Sequence, residues 1–97
     1  GTKMLALAVT GDRTILARKK RKTKGVDGAK DALERICETI NIVLEQGNLD
    51  RSQLQGIGIG CPGPVDMERG VVQVAVNLGW KNFAIGELLS KRYECPV

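Results

Sequence analysis

Apolar and polar positions alternate in blocks along the chain, and the period within the blocks changes from element to element. Met4-Leu5-Ala6-Leu7-Ala8-Val9 is an apolar run of strand length. Thr10-Gly11-Asp12-Arg13 has turn chemistry: Gly11 is free to take positive φ, and Asp12 can bond its own backbone. Thr14-Ile15-Leu16-Ala17 resumes as a strand that runs on into a basic stretch, so the pattern predicts an opening β-hairpin. From Ala29 the apolar residues fall at Leu33, Ile36, Cys37, Ile40, Val43 and Leu44, a 3.6-residue stripe. Asp27 is the expected N-cap of that helix, Asp31 and Arg35 form an i,i+4 pair, and Gly47 is expected to close it in a left-handed conformation.

The second half is read in the same way. Leu49 to Gln53 is a short connector with a helical turn capped by Asp50. Gly56-Ile57-Gly58-Ile59-Gly60 reads as a strand with one face left bare, which lets a ligand or another backbone approach closely. Pro62-Gly63-Pro64 stops its ladder, because neither proline can donate to it. Val71 to Val76 is β-branched and strand-like, the return half of a second hairpin with a wide turn. Asn77 to Phe83 reads as irregular with two large apolar anchors, Trp80 and Phe83. Ile85, Leu88, Leu89 and Tyr93 then follow at helical spacing, and Cys95-Pro96-Val97 reads as the start of a further strand. With Gly1-Thr2-Lys3 set directly against a core strand, both ends are expected to lie inside the core of something larger.

Composition narrows the class. Ninety-seven residues allow one small domain with a modest core, and the apolar and charged fractions are those of a globular chain. No apolar run is long enough to span a bilayer, and no signal-peptide pattern opens the chain. Three widely spaced cysteines, Cys37, Cys61 and Cys95, form no Cys-x-x-Cys, and there is no histidine, so a zinc site within this chain is disfavoured. A reducing cytoplasm is the simplest setting for such cysteines. The lack of histidine also removes Ser-His-Asp and Cys-His catalysis.

The net charge of +4 comes largely from Arg18-Lys19-Lys20-Arg21-Lys22-Thr23-Lys24. Such a run suits a nuclear-localisation tag or a nucleic-acid patch, or else a solvated edge strand whose lysines block edge-to-edge pairing. The edge-strand reading is preferred, since no stacking aromatics accompany the run and alternation would split its charges between two faces.

Candidate chemistry is concentrated between Gly56 and Trp80. Gly-Ile-Gly-Ile-Gly resembles a dinucleotide loop only superficially, because its glycines precede a proline turn and not a helix. No Walker A loop occurs. Asp66 and Glu68 read as solvated turn residues. Asn77, after a strand of valines and beside Gly79 and Trp80, can offer a donor and an acceptor to a hydroxyl, or can satisfy a local turn. The residues alone do not separate those two roles. Gly1-Thr2-Lys3 can expose consecutive amides and a hydroxyl as a phosphate nest, or can be the plain end of a strand.

Taken together, several motifs are similar to the N-terminal lobe of the ROK family of bacterial sugar kinases and sugar-responsive repressors, within the actin-like ATPase superfamily. They are Gly1-Thr2-Lys3 before a hairpin, Gly56 to Asp66 with its Gly-x-Pro-Gly-Pro-Val-Asp close, Gly70-Val71-Val72, Asn77-Leu78-Gly79-Trp80 and Pro96-Val97. The resemblance implies an α/β, ribonuclease-H-like lobe: a mixed sheet opening with an antiparallel hairpin and flanked by helices. Residues 1–97 would be that lobe, cut at both ends, with the second lobe absent. The implied activity is transfer of the γ-phosphoryl of ATP, with Mg²⁺, to a hydroxyl of a hexose or N-acylhexosamine. The alternative is the sugar-sensing lobe of a ROK repressor, whose DNA-binding module would precede Gly1.

By resemblance, Gly1, Thr2 and Lys3 match the family's phosphate-binding loop, and Gly63 and Asn77 match positions lining its sugar pocket. Trp80 and Phe83 would brace that wall. The family's acidic loop residue would precede Gly1, and its catalytic aspartate would follow Val97, so no catalytic residue is expected in this chain. Zinc is expected only in the missing lobe, as is the contact that would make a homodimer. No membrane partner is expected, and no nucleic acid unless the protein is a repressor. The 97 residues alone are expected neither to fold robustly nor to catalyse, because phosphoryl transfer needs parts from both lobes.

Overall fold

The computed structural model describes residues 3–22, 29–61, 64–75 and 80–97, with the backbone only at Ala29. The opening hairpin forms as expected: β1 (Lys3–Val9) pairs antiparallel with β2 (Ile15–Lys22), from Lys3 opposite Lys22 to Val9 opposite Ile15. The turn uses its polar residues differently. Arg13, and not Gly11, takes positive φ (71°), while Thr10 N–H donates to Thr14 O (2.9 Å) and Arg13 N–H to Thr10 O (3.0 Å). Asp12 Oδ1 accepts from the hydroxyls of Thr10 and Thr14, which holds its carboxyl below the usual carboxylate range.

Helix α1 (Ala29–Gln46) crosses one face of this hairpin. Its stripe is buried as expected at Cys37, Val43 and Leu44, and Thr39 joins it at 2% exposure. Thr39 is tolerated there because its hydroxyl is saturated: it donates to Arg35 O (2.7 Å), and Arg21 Nη1 donates to it (3.3 Å). The Asp31–Arg35 pair is absent from the ion pairs among the described residues. Arg35 Nε turns instead to Lys22 O at 2.6 Å, because a backbone acceptor on the adjacent strand holds it better than a solvated carboxylate. The expected cap at Asp27 lies outside the described residues.

The helix ends in a Schellman arrangement, with Leu49 N–H on Leu44 O (2.8 Å) and Asn48 N–H on Glu45 O (3.1 Å). Asn48 carries the left-handed conformation (φ 53°), in place of the expected Gly47. Asparagine reaches that region at low cost, which leaves Gly47 free to remain the last near-helical residue. Arg51–Gln53 then form one 3-10 turn. Its start is fixed by the Gln53 side chain, whose Oε1 accepts from Asp50 N–H at 2.7 Å.

A second sheet departs more from the sequence expectation. Its order is β3 (Val65–Asp66), β4 (Val71–Ala75), β5 (Trp80–Phe83), all antiparallel. Thus β4 returns along Val65-Asp66 and not along Gly56–Gly60, and the stretch read as irregular contains a strand. Asn82 at positive φ (50°) explains why alternation did not reveal β5: it breaks the period, so Trp80 and Phe83 are both buried. Their rings meet edge to face with centroids 4.9 Å apart. Residues Gly56–Gly60 form no strand ladder, for lack of side chains to pack and ladder partners to hold them.

Helix α2 (Ile85–Tyr93) lies on β4. Ile85, Leu89 and Tyr93 are buried as their spacing predicts, but Leu88 is exposed and Gly86 takes the buried place beside Ile85. Gly86 is there because the turn after β3 presses on it: its N–H donates to Gly70 O at 2.9 Å. A Cβ on Gly86 would sit 2.9 Å from Gly70 Cα, and Gly70 itself has φ +66°. Both atoms are backbone, so the contact relaxes only if the helix moves off the sheet. Gly86→Ala is therefore expected to destabilise the fold by about 1–3 kcal/mol, read as a lowered urea midpoint with unchanged slope.

The core joins Cys37 and Leu44 of α1, Val72 and Ala75 of β4, Trp80 and Phe83 of β5, and Leu89 and Tyr93 of α2. Tyr93 ties the two helices together, with its hydroxyl 2.9 Å from Asn41 Oδ1 and 3.2 Å from Cys37 O. Burial, with Cys37 nearby as a secondary cause, pushes its phenol up to about 12 from 10. The folded state thus holds a proton that the unfolded chain releases near pH 10. Stability is expected to fall as pH rises from about 10 to 12, and Tyr93→Phe should remove that slope from the pH dependence of the unfolding midpoint.

Candidate functional site

A cavity of about 950 Å³ runs along the edge of β1 that does not face β2. One wall is β1 itself from Lys3 to Val9, and the opposite wall is the segment Gln53–Cys61. Ile36, Ile40 and Leu44 of α1 close one side, and Trp80 completes the lining. The local reasons are visible in the sequence. Glycines at 56, 58 and 60 remove every second side chain from the far wall, and a Cβ at Gly58 or Gly60 would meet nothing within 4 Å. The near wall is a strand edge whose backbone donors and acceptors are free of a ladder among the described residues.

The far wall is anchored at one point. Ile57 N–H donates to Pro96 O at 2.9 Å, and a Cβ at Gly56 would lie 3.5 Å from the same oxygen. Residues 96 and 57 are distant in sequence, so the end of α2 and the glycine segment are fixed to each other. Lys3 and Asp50 are the charged residues on the lining, Thr10, Thr39, Gln53 and Gln55 are the polar ones, and the rest is apolar or glycine. Cys61 is half-buried at the cavity end, and burial pushes its thiol up, which keeps it protonated and unreactive at neutral pH. Trp80 Nε1 is buried without a hydrogen-bond partner among the described residues.

Of the residues singled out in the sequence, Lys3 is placed at the start of β1, exposed and on the cavity lining. Gly1, Thr2, Gly63 and Asn77 lie outside the described residues. Among the nearest described residues, Cys61 and Trp80 both line the cavity, and Pro64 O accepts from Gln73 N–H at 2.9 Å. Leu49, Gln53 and Leu54 are lining residues that sequence reasoning passed over as a connector. The apolar pair Leu49 and Leu54 flanking a polar turn was the available signal.

Among the described residues no group of three His, Cys, Asp or Glu side chains could hold a metal ion. No described helix is long and apolar enough to cross a membrane.

Comparison with known proteins gives a consistent result. Residues 1–97 match the model of the ROK family. A glucokinase of Halalkalibacterium halodurans is 30% identical over 95 residues, which is 98% of this chain and 28% of that protein. A putative xylose repressor of Caldicellulosiruptor is 35% identical over a shorter stretch of 68 residues, 66% of this chain and 17% of that protein. Among solved structures, a ROK hexokinase from Thermus thermophilus superposes with a TM-score of 0.83 at 26% identity, over 99% of this chain and 30% of that one. A ROK glucokinase from Streptomyces griseus, in complex with glucose and AMPPNP, gives 0.82 at 28% identity, over 99% and 28%. The chain thus spans under a third of the length of these kinases, and its α/β fold is that of the first lobe in ROK kinases of the actin-like ATPase type.

Proposed function

The chain belongs to the ROK family, and on that premise we propose that residues 1–97 are the N-terminal lobe of a cytoplasmic, ATP-dependent sugar kinase. The reaction is transfer of the γ-phosphoryl of ATP to a hydroxyl of a hexose or N-acylhexosamine. The observation that supports this reading is the cavity lined by Lys3 at one end of β1, by Gly56–Cys61 and by Trp80. Lys3, the described residue of the candidate phosphate tripeptide, thus shares a cavity with Cys61 and Trp80. The glucose and AMPPNP bound by the Streptomyces griseus relative support it as well.

In this reading Gly1, Thr2 and Lys3 bind the phosphates of the nucleotide, Lys3 by charge and the others through backbone amides and a hydroxyl. Gly63 leaves room for the sugar ring, and the Asn77 amide donates to one hydroxyl and accepts from another. Positioning of the two substrates is what this lobe contributes. The base that takes the hydroxyl proton is an aspartate beyond Val97, and the second lobe supplies the remaining sugar contacts and the homodimer interface. Mg²⁺ would be held chiefly by the phosphates of the nucleotide, where it would offset their charge.

The test is a coupled ATP-consumption screen of a family-length protein over glucose, N-acetylglucosamine, N-acetylmannosamine, mannose, fructose and allose. Phosphorylation of at least one sugar supports the kinase. Sugar binding without turnover overturns it in favour of a sugar-sensing repressor, the reading that the match to the xylose repressor supports.

A further inference from the structure

Strand register sets a second cation beside the candidate phosphate tripeptide. Lys22, the last residue of β2, is the partner of Lys3, the first residue of β1. Directly opposite residues of an antiparallel pair lie about 4.5–5.5 Å apart at Cα and project to the same face of the sheet. Both residues are exposed, and neither enters an ion pair among the described residues. The adjacent cation is used differently: Arg21 projects toward α1, with Nη1 3.4 Å from Glu38 Oε2 and 3.3 Å from Thr39 Oγ1. The backbone under Lys22 is held in place, because Arg35 Nε of α1 donates to Lys22 O at 2.6 Å.

Like charges directly opposite each other weaken a strand pair. Protection of an edge strand asks for cations along β2, a need served by Lys20 and Arg18 opposite the exposed apolar Leu5 and Leu7. It does not ask for one lysine against another at the end where the tripeptide enters the sheet. An anion between the two ammonium groups removes their repulsion. We propose that Lys22 is a nucleotide-binding residue, which together with Lys3 grips the phosphates of a nucleoside triphosphate from two neighbouring strands. The inference rests on the reading of this chain as a kinase lobe with Gly1-Thr2-Lys3 at the phosphates. Each ammonium group carries its donors on a flexible four-carbon stem, so both reach one phosphoryl chain without a backbone shift. Attraction to the second cation grows with the charge of the ligand, so Lys22 favours a triphosphate over a monophosphate.

The test uses the family-length protein. Calorimetry measures the Kd of the non-hydrolysable analogue AMPPNP and of AMP for the wild type, Lys22→Gln, Lys22→Arg and Lys20→Gln, and steady-state kinetics measures KM for ATP and for the sugar. Lys22→Gln is expected to weaken AMPPNP binding and raise KM for ATP by about five- to tenfold. Its AMP affinity and its KM for the sugar should change by less than about twofold, the latter showing that the variant is folded. Lys22→Arg keeps the charge and should hold AMPPNP within about twofold of wild type. Lys20→Gln removes a cation roughly 7 Å farther along the same face and should change AMPPNP binding by less than about twofold. Raising the salt concentration should shrink the difference between Lys22→Gln and wild type.

Unchanged AMPPNP affinity in Lys22→Gln overturns the proposal, as does an equal loss for AMP and AMPPNP. A loss that Lys22→Arg does not restore, or one that Lys20→Gln reproduces, overturns it too, the first by making Lys22 structural and the second by making the effect one of general charge. A wild type that phosphorylates a sugar while Lys22→Gln binds AMPPNP normally refutes this inference and leaves the kinase reading standing. A wild type that binds AMPPNP and turns over no sugar refutes the kinase reading, and the Lys22 comparison still decides this one. A wild type that binds no nucleotide refutes both.

Discussion

Tyr93→Ala is expected to abolish cooperative folding of the 97 residues, whereas Tyr93→Phe lowers the stability by only about 1–2 kcal/mol. The ring is 2% exposed, at the junction of both helices and the second sheet. Truncating so large a buried side chain costs about 3–5 kcal/mol through lost burial and the cavity left behind. A chain of this size has a net stability of only about 5–15 kcal/mol, and one with an open apolar face lies at the low end. The Phe variant keeps the ring and its contact with the Arg51 guanidinium, 4.8 Å above the centroid, and loses only the bonds to Asn41 and Cys37. Urea denaturation followed by far-UV circular dichroism distinguishes the two. Equal losses for Ala and Phe would show that the hydroxyl, and not ring packing, holds α1 to α2.

Asn77→Ala, in a family-length protein, is expected to lower kcat/KM for the sugar by about 100-fold or more. Two hydrogen bonds to sugar hydroxyls in a partly dehydrated site are worth about 3 kcal/mol together, and removing the amide forfeits both. The loss should leave binding of nucleotide unchanged, because Asn77 is assigned to the sugar side. Steady-state kinetics with sugar and ATP varied in turn provides the check. A variant with full activity would return Asn77 to its other reading, an amide satisfying a local turn.

Much of the fold was legible because its periods are clean. The β1–β2 hairpin, the 3.6-residue stripe of α1 and the α2 positions Ile85, Leu89 and Tyr93 are each fixed by local pattern and burial. The splitting of the basic run was legible too: Arg18, Lys20 and Lys22 are exposed while Lys19 and Arg21 are half-buried toward α1, as alternation requires. What pattern missed was non-periodic. Strand β5 is hidden by the left-handed Asn82, and the partner of β4 is Val65-Asp66 and not the glycine segment, because the turn 67–70, with Gly70 at positive φ, closes a tighter hairpin than the wide one expected.

The candidate site divides along the same line. Sequence by itself determined the types of residue available: the glycine segment, the proline turn, Asn77 shortly before Trp80, and the tripeptide Gly1-Thr2-Lys3. It also determined which chemistries are missing, since no histidine and no cysteine pair can be made from neighbours. Tertiary structure alone decided that Lys3, Gly56–Cys61 and Trp80 share one cavity, and that Pro96 is bonded to Ile57 of its far wall. The reason is physical. Side-chain identity and local period are properties of a few consecutive residues, whereas a cavity exists only where separate elements, each held by its own core contacts, stop short of one another.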